Sequence, residues 1–386
     1  MRIITKLLTG ACAVATVMVV TAGPALADPP SGVTPKPNDV VGVGAQTTQF
    51  LYDQISHDYN AAVTSTTAPR FYYFDAVNPT TGQTGDPIVT KSGCASIPRP
   101  NGSSQGITAL TTSNGTTSGH HCIDFAGSSR DRSSTDPTSV SFVDLAGDAV
   151  TYATQKTTNA PTNLTTADLT AIYNCTVTNW NQVGGQNAPI HPFIPQSGSG
   201  TRTFFLAAIG VPSPGACVSD GGGTLEENEG VNPLLNDPDA IFPYSVADYI
   251  AEGYHSAKCL NSACTPVNGQ VCQPAGTQNL FGCDENGTLR VQEINSTPPT
   301  TPWPLTPTSK GPVINTGFSP AFLRTLFEVV SGPETGGVGT IPSYLQKFFG
   351  PHGYLCNNLK AKTDLKHYGF VVLPAGTAPG DCGSAH

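Results

Sequence analysis

The chain has 386 residues and carries 18 Lys+Arg against 27 Asp+Glu, a net charge of −9, with only 12% charged residues. This acidic balance excludes a dedicated nucleic-acid binder, because such a protein needs a basic face that displaces the counterions of the phosphate backbone. The 38% hydrophobic content, with 41 Gly and 34 Pro, excludes a disordered low-complexity chain and is sufficient for the cores of two domains.

The N-terminus has the parts of a secretory signal peptide. Two basic residues are followed by an almost wholly apolar stretch, 11–20, and by the small-x-small cleavage site Ala25-Leu26-Ala27. The apolar stretch is shorter than the roughly 20 residues that a transmembrane helix needs. The sequence therefore predicts a signal peptide over residues 1–27, cleavage after Ala27, and a secreted or cell-surface protein.

Removal of this signal peptide leaves an even number of cysteines, since one of the 11 lies within it. An even number in an exported protein indicates disulfide bonds. Proximity in sequence suggests three: Cys94 with Cys122, Cys175 with Cys217, and Cys356 with Cys382. The other four form a local group, either disulfide-bonded or a zinc site: Cys259, Cys264, Cys272 and Cys283. Their spacing lacks the Cys-x-x-Cys pairs of structural zinc sites, which favours disulfides and no metal.

After a Pro-rich leader over 28–37, short apolar strands, polar turns and helices alternate. Residues 39–43 predict a strand, 44–48 a polar turn, and the apolar periodicity that follows a helix. The pattern continues with these segments: turn 101–106 and helix 107–110; strand 122–126 and polar stretch 127–130; strand 141–152; helix 164–173; strand 190–195, turn 196–201 and helix 202–209; helix 341–349; strand 368–373. Such alternation predicts an α/β fold.

The four polar turns, at 44–48, 101–106, 127–130 and 196–201, indicate an anion-binding site. Ligands of open α/β sheets bind at the carboxyl ends of strands, where these turns lie. A helix N-terminus has unpaired backbone N–H groups and a partial positive charge, and hydroxyl side chains there add further donors. The alternative for Ser199 or Thr201 is a simple helix cap.

The residues at these turns resemble the phosphate-binding protein family, the solute-binding proteins of ABC importers, and its secreted actinobacterial relatives. Four motifs carry the resemblance: 42–47 (Gly-Val-Gly-Ala-Gln-Thr), 102–106 (Gly-Ser-Ser-Gln-Gly), 124–129 (Asp-Phe-Ala-Gly-Ser-Ser) and 197–205 (Ser-Gly-Ser-Gly-Thr-Arg-Thr-Phe-Phe). Segments 143–152 and 315–330 are similar to the strands by which that family crosses between its lobes and returns.

The resemblance implies a two-lobed type II periplasmic-binding-protein fold with a cleft between the lobes. Lobe 1 would comprise 38–145 plus 312–386, and lobe 2 would comprise 146–311 with a Cys-rich insertion at 259–283. It also implies a monomeric, non-enzymatic protein without a cofactor, which holds phosphate or a similar oxyanion and delivers it to the membrane subunits of an ABC importer. The ligand contacts carried over from the family are Gln46, Thr47, Ser103, Ser129, Ser199, Gly200 and Thr201.

Two positions depart from the family pattern. Pro195 stands where the family has an arginine that contacts phosphate, and Ser129 stands where it has an acidic residue that accepts the proton of phosphate. Loss of that acid weakens the discrimination of phosphate from sulfate, because only phosphate offers a proton. Arg130 or Arg202, each one residue after a matched turn, is expected to supply the missing positive charge, and the alternative is that both are solvated or paired with surface carboxylates.

Two other classes of protein stay open. A secreted hydrolase is one, but Ser197 occupies the first glycine position of a Gly-x-Ser-x-Gly elbow around Ser199, and the chain has no His-Glu-x-x-His or Walker motif. The other is a cell-surface interaction protein with a degenerate binding-protein fold.

Overall fold

The structure is a computed structural model that describes residues 28–30, 32–112, 114–255, 286–302, 312–331 and 339–386. The strands are β1 Val40–Gly44, β2 Phe71–Tyr73, β3 Pro87–Ile88, β4 Ile97–Pro98, β5 Thr116–Thr117, β6 His120–His121, β7 Phe125–Ser128, β8 Val140–Gln155, β9 Asn163–Leu164, β10 His191–Pro192, β11 Ala240–Ser245, β12 Leu289–Val291, β13 Glu293–Ile294, β14 Thr300–Thr301, β15 Val313–Ile314, β16 Leu323–Ser331 and β17 Val371–Val372. The α-helices are α1 Gln49–Ala62, α2 Ser103–Thr112, α3 Thr166–Tyr173, α4 Gly200–Ala208, α5 Val246–Ile250, α6 Gln346–Phe349, α7 Tyr354–Asn357 and α8 Leu359–His367.

A mixed sheet with the order β10-β11-β8-β16-β7-β1-β2 forms the centre of the molecule, and β12 and β17 also pair with β8. Within it β1 is parallel to both β2 and β7, whereas β16 is antiparallel to β7 and β8. Helices follow the strands as the alternating apolar and polar segments predict. The α/β prediction is confirmed.

The long strand β8 joins two lobes. Its first part, up to Ala149, pairs with β16, and its second part, from Val150 onward, pairs with β11 and β12. Nearly every side chain of β8 is buried, because layers of the protein cover both faces of the strand. The predicted two-lobed architecture is therefore confirmed, and the strand predicted over 141–152 is its connection.

Glycines allow the first two site turns to approach each other closely. Gly44 ends β1 with φ +120°, and a Cβ atom there would lie 2.9 Å from the carbonyl oxygen of Gly127 and 3.2 Å from the Cα of Gly106. Gly106 lies in the first turns of α2, so the polar turn predicted before a helix at 107–110 is itself the start of that helix. The chain thus places the N-terminus of α2 against the ends of β1 and β7.

Disulfide bonds join the three predicted pairs: Cys94–Cys122, Cys175–Cys217 and Cys356–Cys382. The first precedes β7, the second ties the end of α3 to the segment after α4, and the third ties α7 to the C-terminal segment. The signal peptide over 1–27 and the Cys-rich insertion at 259–283 lie outside the described residues. Among the helices that are described, none is long and apolar enough to cross a membrane.

Some elements are shorter or shifted relative to the predictions. The strand expected at 122–126 is β7, Phe125–Ser128, and the helix expected over 341–349 is confined to α6, since a turn that closes with a hydrogen bond from Leu345 N to Pro342 O precedes it. The C-terminal strand β17 pairs with β8 at Gly147 and Ala146, in the middle of the connection between the lobes.

Candidate ligand-binding site

Three of the four predicted turns meet because β1 and β7 are parallel neighbours. Parallel strands end at the same edge of a sheet, and Gly44 lies opposite Gly127 there. The N–H of Gly102 donates to the carbonyl of Gly44 (3.0 Å), which attaches the turn before α2 to the same edge. The fourth turn, before α4, faces this edge from lobe 2.

Ser103, Ser129 and Gly200 form the first part of the site. The Oγ atoms of Ser103 and Ser129 lie 3.3 Å apart, and the backbone N–H of Ser129 donates to Ser103 Oγ (3.0 Å). A Cβ on Gly200 would lie 2.3 Å from Ser129 Oγ and 2.4 Å from Ser103 Oγ. Only glycine permits α4 to begin so close to these two hydroxyl groups.

Thr47 and Thr201 form the second part, together with Glu227. The Oγ1 of Thr47 donates to Glu227 Oε2 (2.5 Å), and the Oγ1 of Thr201 donates to the same oxygen (2.9 Å). Glu227 is 1% exposed, and its Oε1 has no hydrogen-bond partner among the described residues. Two hydroxyl groups, one from each side of the cleft, therefore converge on a single carboxylate oxygen.

Arg324, on β16, is the cation of this pocket. Its Nη1 donates to Thr201 Oγ1 (3.0 Å) and to the carbonyl oxygen of Ser129 (2.9 Å). Its Nη2 and Nε both contact Oδ2 of Asp148, at 2.7 and 2.9 Å, and both side chains are almost completely buried. The remaining bonds to Asp148 come from Ser245 Oγ and the N–H of Ala247. The ion pair thus has several hydrogen bonds, and Nη1 of the guanidinium points at the hydroxyl groups of Thr47, Ser103, Ser129 and Thr201, here called the hydroxyl cluster.

The two arginines expected in the cleft are paired elsewhere. Arg130 forms a two-pronged ion pair with Asp136, at 2.7 and 2.8 Å, and its Nε contacts Ser104 Oγ. Arg202 contacts Asp220 (3.2 Å) and the carbonyl of Pro195. Among the described residues, the guanidinium that contacts the hydroxyl cluster is Arg324.

Ser199 and Gln46 complete the set of predicted contacts. Ser199 caps α4, since its Oγ accepts a hydrogen bond from the N–H of Arg202 (2.9 Å). Gln46 is buried in the turn after β1, and its Oε1 has no partner among the described residues. This oxygen is an acceptor, so a contact of Gln46 with an anion requires its Nε2 donor, and Ser199, whose Oγ accepts from the helix, keeps its O–H as a donor.

Further hydrogen bonds join the two sides of the cleft. Asn101 Nδ2 donates to Glu226 Oε1 (2.8 Å), Gln196 Nε2 donates to the carbonyl of Asn101 (3.2 Å), and the N–H of Ser104 donates to the carbonyl of Gly198 (3.2 Å). Burial raises the pKa of Glu226 to about 7, with the hydrogen bond from Asn101 opposing this shift and the charge of Glu227 adding to it. The contacts that join the two sides of the cleft therefore include a carboxyl group whose pKa is near 7.

A second buried carboxyl group lies behind the ion pair. Burial raises the pKa of Asp248 well above its ordinary value, and the neighbouring charge of Asp148 adds to the shift while Arg324 opposes it. Asn228 donates to Asp248. The pocket contains more carboxyl groups than cations, so its field disfavours an incoming anion, and a proton on the anion helps only by donating a hydrogen bond to a carboxylate oxygen.

A possible metal-binding group lies on the surface of lobe 2, outside this pocket. His191, Asp237 and Asp239 have ligand atoms within 4.8 Å of one another. His191 Nδ1 lies 2.6 Å from Asp237 Oδ2, and Asn159 donates to Asp239 Oδ1 (2.7 Å). Hydrogen bonds thus already engage these carboxylates.

Sequence reasoning did not find Glu227, Arg324 or Asp148. Glu227 lies in a segment rich in glutamate, 226–229, that has no distinguishing motif, and Arg324 and Asp148 are charges within largely apolar strands that each contain one further charged residue. A charged residue in a buried strand is unusual and requires a partner. The charged residues within largely apolar strands were therefore the sequence signal that could have identified Arg324 and Asp148.

The fold and this cleft define a two-lobed α/β protein with a buried polar pocket between the lobes. A family model described as the PBP superfamily domain matches residues 56–273, more than half of the chain. The chain therefore belongs to the PBP superfamily, whose members are solute-binding proteins.

Solved structures with related folds have low sequence identity to the chain. An ABC-type phosphate transport receptor from Vibrio cholerae is 17% identical, with 86% of this chain and 99% of that chain covered and a TM-score of 0.49. A phosphate ABC transporter substrate-binding protein from Clostridium perfringens, solved with bound phosphate, is 15% identical over 87% and 99% of the chains, with a TM-score of 0.48. A phosphate-binding protein from Stenotrophomonas maltophilia is 12% identical over 87% and 91%, with a TM-score of 0.47. No curated protein matches the chain in sequence.

Proposed function

We propose that the protein is a solute-binding protein that holds hydrogen phosphate, or a closely similar oxyanion, between its two lobes. The observation that carries the proposal is the convergence of Thr47 Oγ1 and Thr201 Oγ1 on one carboxylate oxygen of Glu227. Hydroxyl groups from opposite sides of the cleft thus already bind an oxyanion group. Membership of the PBP superfamily supports the same function.

The donors around this point are numerous enough for useful affinity. We propose Gln46, Thr47, Ser103, Ser129, Gly200 and Thr201 as ligand contacts, with Ser199 positioning the first turn of α4 and Arg324 supplying the positive charge. A hydrogen bond to a charged group contributes roughly 1.5–3 kcal/mol, and micromolar affinity needs about 8 kcal/mol. The six proposed contacts therefore exceed this requirement, and the excess offsets part of the cost of immobilising the anion.

Glu227 makes the site selective for an anion that carries a proton. A hydrogen phosphate donates a hydrogen bond to the carboxylate, whereas sulfate presents only acceptor oxygens and is repelled. Glu227 thereby replaces the acid that is absent at Ser129. Phosphate is expected to bind more tightly than sulfate, although Ser129 considered alone predicts weak discrimination.

The protein is proposed to act outside the cytoplasm after cleavage of a signal peptide at Ala27. Three disulfide bonds support an oxidising compartment. Lobe 1 is proposed to comprise 38–145 and 312–386, lobe 2 to comprise 146–311, and delivery to an ABC importer to follow from opening of the lobes.

Calorimetry of the mature chain with phosphate, sulfate, molybdate and an organic phosphate tests this function. Phosphate is expected to release heat with micromolar affinity and to exceed sulfate. Thr201→Val should weaken phosphate binding about tenfold or more, because it removes a donor to a charged group. Thr363→Val, on the exposed face of α8, is the matched control and should leave binding unchanged.

Glu227→Gln tests the selectivity, since a neutral amide no longer repels sulfate. The ratio of phosphate to sulfate affinity should fall in this variant. An unchanged ratio, or no heat from any of the anions with the unsubstituted protein, contradicts the proposal.

A second candidate function is a surface interaction protein that has lost its ligand. The pairing of Arg130 and Arg202 with carboxylates favours it, because these charges are then not available to an anion. Absence of binding to all four anions, in a protein with a cooperative unfolding transition, would support this function.

A further inference from the structure

Asp28, the residue that follows the proposed cleavage site, is held firmly by the folded protein. Arg99 Nη1 lies 2.7 Å from Asp28 Oδ1 and Arg99 Nη2 lies 2.6 Å from Oδ2, a two-pronged ion pair. The N–H of Asp75 also donates to Asp28 Oδ1 (2.9 Å). Terminal residues of a domain are ordinarily poorly ordered unless they are tied down, so this set of contacts requires a reason.

Two further buried acidic residues belong to this cluster. Asp53, on α1, and Asp75, after β2, are 4% and 1% exposed. Asp53 accepts a hydrogen bond from the backbone of Asp28, and burial, the charges of Asp75 and Asp28 and a hydrogen bond with Asp75 raise its pKa well above the ordinary value. Asp53 Oδ2 has no hydrogen-bond partner among the described residues.

The charges of this cluster do not balance in an uncleaved chain. Asp28, Asp53 and Asp75 together face Arg99, which is one cation for three acids. In an uncleaved chain the backbone nitrogen of Asp28 is a neutral amide with a single proton. In a chain that starts at Asp28 the same nitrogen is an ammonium group with three protons and a positive charge. It then lies beside the buried carboxyl group of Asp53, which in turn interacts with Asp75.

We propose that the α-ammonium group created at Asp28 by signal-peptide cleavage forms a buried ion pair with Asp53 and Asp75, and thereby locks the mature N-terminus into the fold. The second cation brings the cluster closer to neutrality, and its extra protons supply donors for Asp53 Oδ2. This inference rests on the proposed cleavage after Ala27 and is independent of the identity of the bound solute.

The docked N-terminus contacts elements that adjoin two of the turns of the site. Asp53 belongs to α1, which follows the turn that holds Thr47. Arg99 precedes the turn that leads into Ser103, and it also donates to the carbonyl of Asp75 (2.8 Å). The ion pairs of Asp28 therefore connect α1, which follows the first turn, to the segment that precedes the second turn. A mature terminus stabilises the side of the cleft from which lobe 1 contacts the solute.

Three forms of the chain test the proposal. One begins at Asp28 and is released from a fusion by a protease that cuts directly before this residue. The second has one additional alanine before Asp28, which keeps a terminal amine but moves it away from Asp53. The third begins at Asp28 and is acetylated at the α-amine, which removes the charge. Mass spectrometry identifies the first residue and the acetylation state of each form.

The form that begins at Asp28 is expected to melt about 2–4 °C or more above the other two. The Asp53→Asn substitution should lower the melting temperature of that form and leave the alanine-extended form nearly unchanged, because its ammonium partner is displaced there. Asp131→Asn, at an exposed site outside the cluster, is the matched control. Equal melting temperatures of the three forms, or the same effect of Asp53→Asn in each, would overturn the proposal.

Phosphate calorimetry on the same proteins separates this inference from the proposed function. A higher melting temperature of the form that starts at Asp28, without phosphate binding, supports the docked terminus and contradicts the oxyanion site. A secreted protein whose first residue is not Asp28 contradicts the docked terminus whatever the protein binds.

Discussion

Arg324 in the pocket and Arg202 at its partly exposed edge, here called the rim, differ in the groups that their guanidinium ions contact. Arg324, buried between the lobes, is paired with Asp148 and still donates to Thr201 and to the backbone of Ser129. At the rim, Arg202 directs its guanidinium to a partly exposed carboxylate, Asp220. The side chain that lies near a binding motif in sequence thus stabilises local structure, while one that lies far away in sequence contacts the hydroxyl cluster.

This difference shows how an acidic protein can present a positive charge to a small anion. A buried guanidinium acts in a low-dielectric environment and is poorly screened, whereas a rim charge is weakened by water and salt. The field at the hydroxyl cluster therefore depends on Arg324 and on the protonation of nearby carboxyl groups more than on the net charge of the surface.

Removal of the buried charge is expected to have the largest effect. Arg324→Met leaves the Asp148 carboxylate buried without its cation, and this should lower the free energy of unfolding by about 3–5 kcal/mol in urea titrations. The double variant with Asp148→Asn should recover a large part of the loss, because no unpaired charge remains. A loss below about 1 kcal/mol in the single variant would show that the pair is not structurally important.

The carboxyl group that closes the cleft provides a test by pH. The pKa of Glu226 is raised to about 7, so its contribution to stability is fully present below the unfolded value near 4.5 and is lost as pH rises through 7. The penalty at pH 8 is about 3 kcal/mol at most. Glu226→Gln should therefore raise stability at pH 8 and change it little at pH 5. An equal effect at both pH values would contradict the raised pKa.

Removal of the Arg202 charge is expected to have the smallest effect on stability and binding. Arg202→Ala removes a partly exposed ion pair, so the free energy of unfolding should change by no more than about 1 kcal/mol. Its phosphate affinity, measured by calorimetry, should stay within about threefold of the unsubstituted protein. A tenfold loss of affinity would place Arg202 in the site and remove the distinction from Arg324.

Much of the fold could be predicted because its signals are local. The strand, turn and helix of β1 and α1 follow from the apolar periodicity over 39–59, and the Thr165 cap of α3 is a capping box with Asp168. The three disulfides join cysteines only 26 to 42 residues apart. The exact ends of short elements, such as α6, depend on neighbouring turns and were not predictable.

The candidate site was predictable only where it consists of turns. Ser103, Ser129, Gly200 and Thr201 lie within recognisable motifs, and the structure brings them together. Glu227 reaches Thr47 across 180 residues, and Arg324 reaches Thr201 across 123. Local sequence carries no record of contacts at such separations.

The sequence by itself determined the α/β class and the polar turns that lie at strand and helix ends, and proximity suggested the three disulfide pairs that the structure contains, because propensity and periodicity act over short stretches of chain. The tertiary structure decided which charges face the solute. Arg324 enters the pocket through the pairing of β16 with β8, and Glu227 enters through the closure of lobe 2 on lobe 1. Burial strengthens the electrostatic interactions of these few groups, since an ion pair or a hydroxyl donor interacts most strongly where water is excluded.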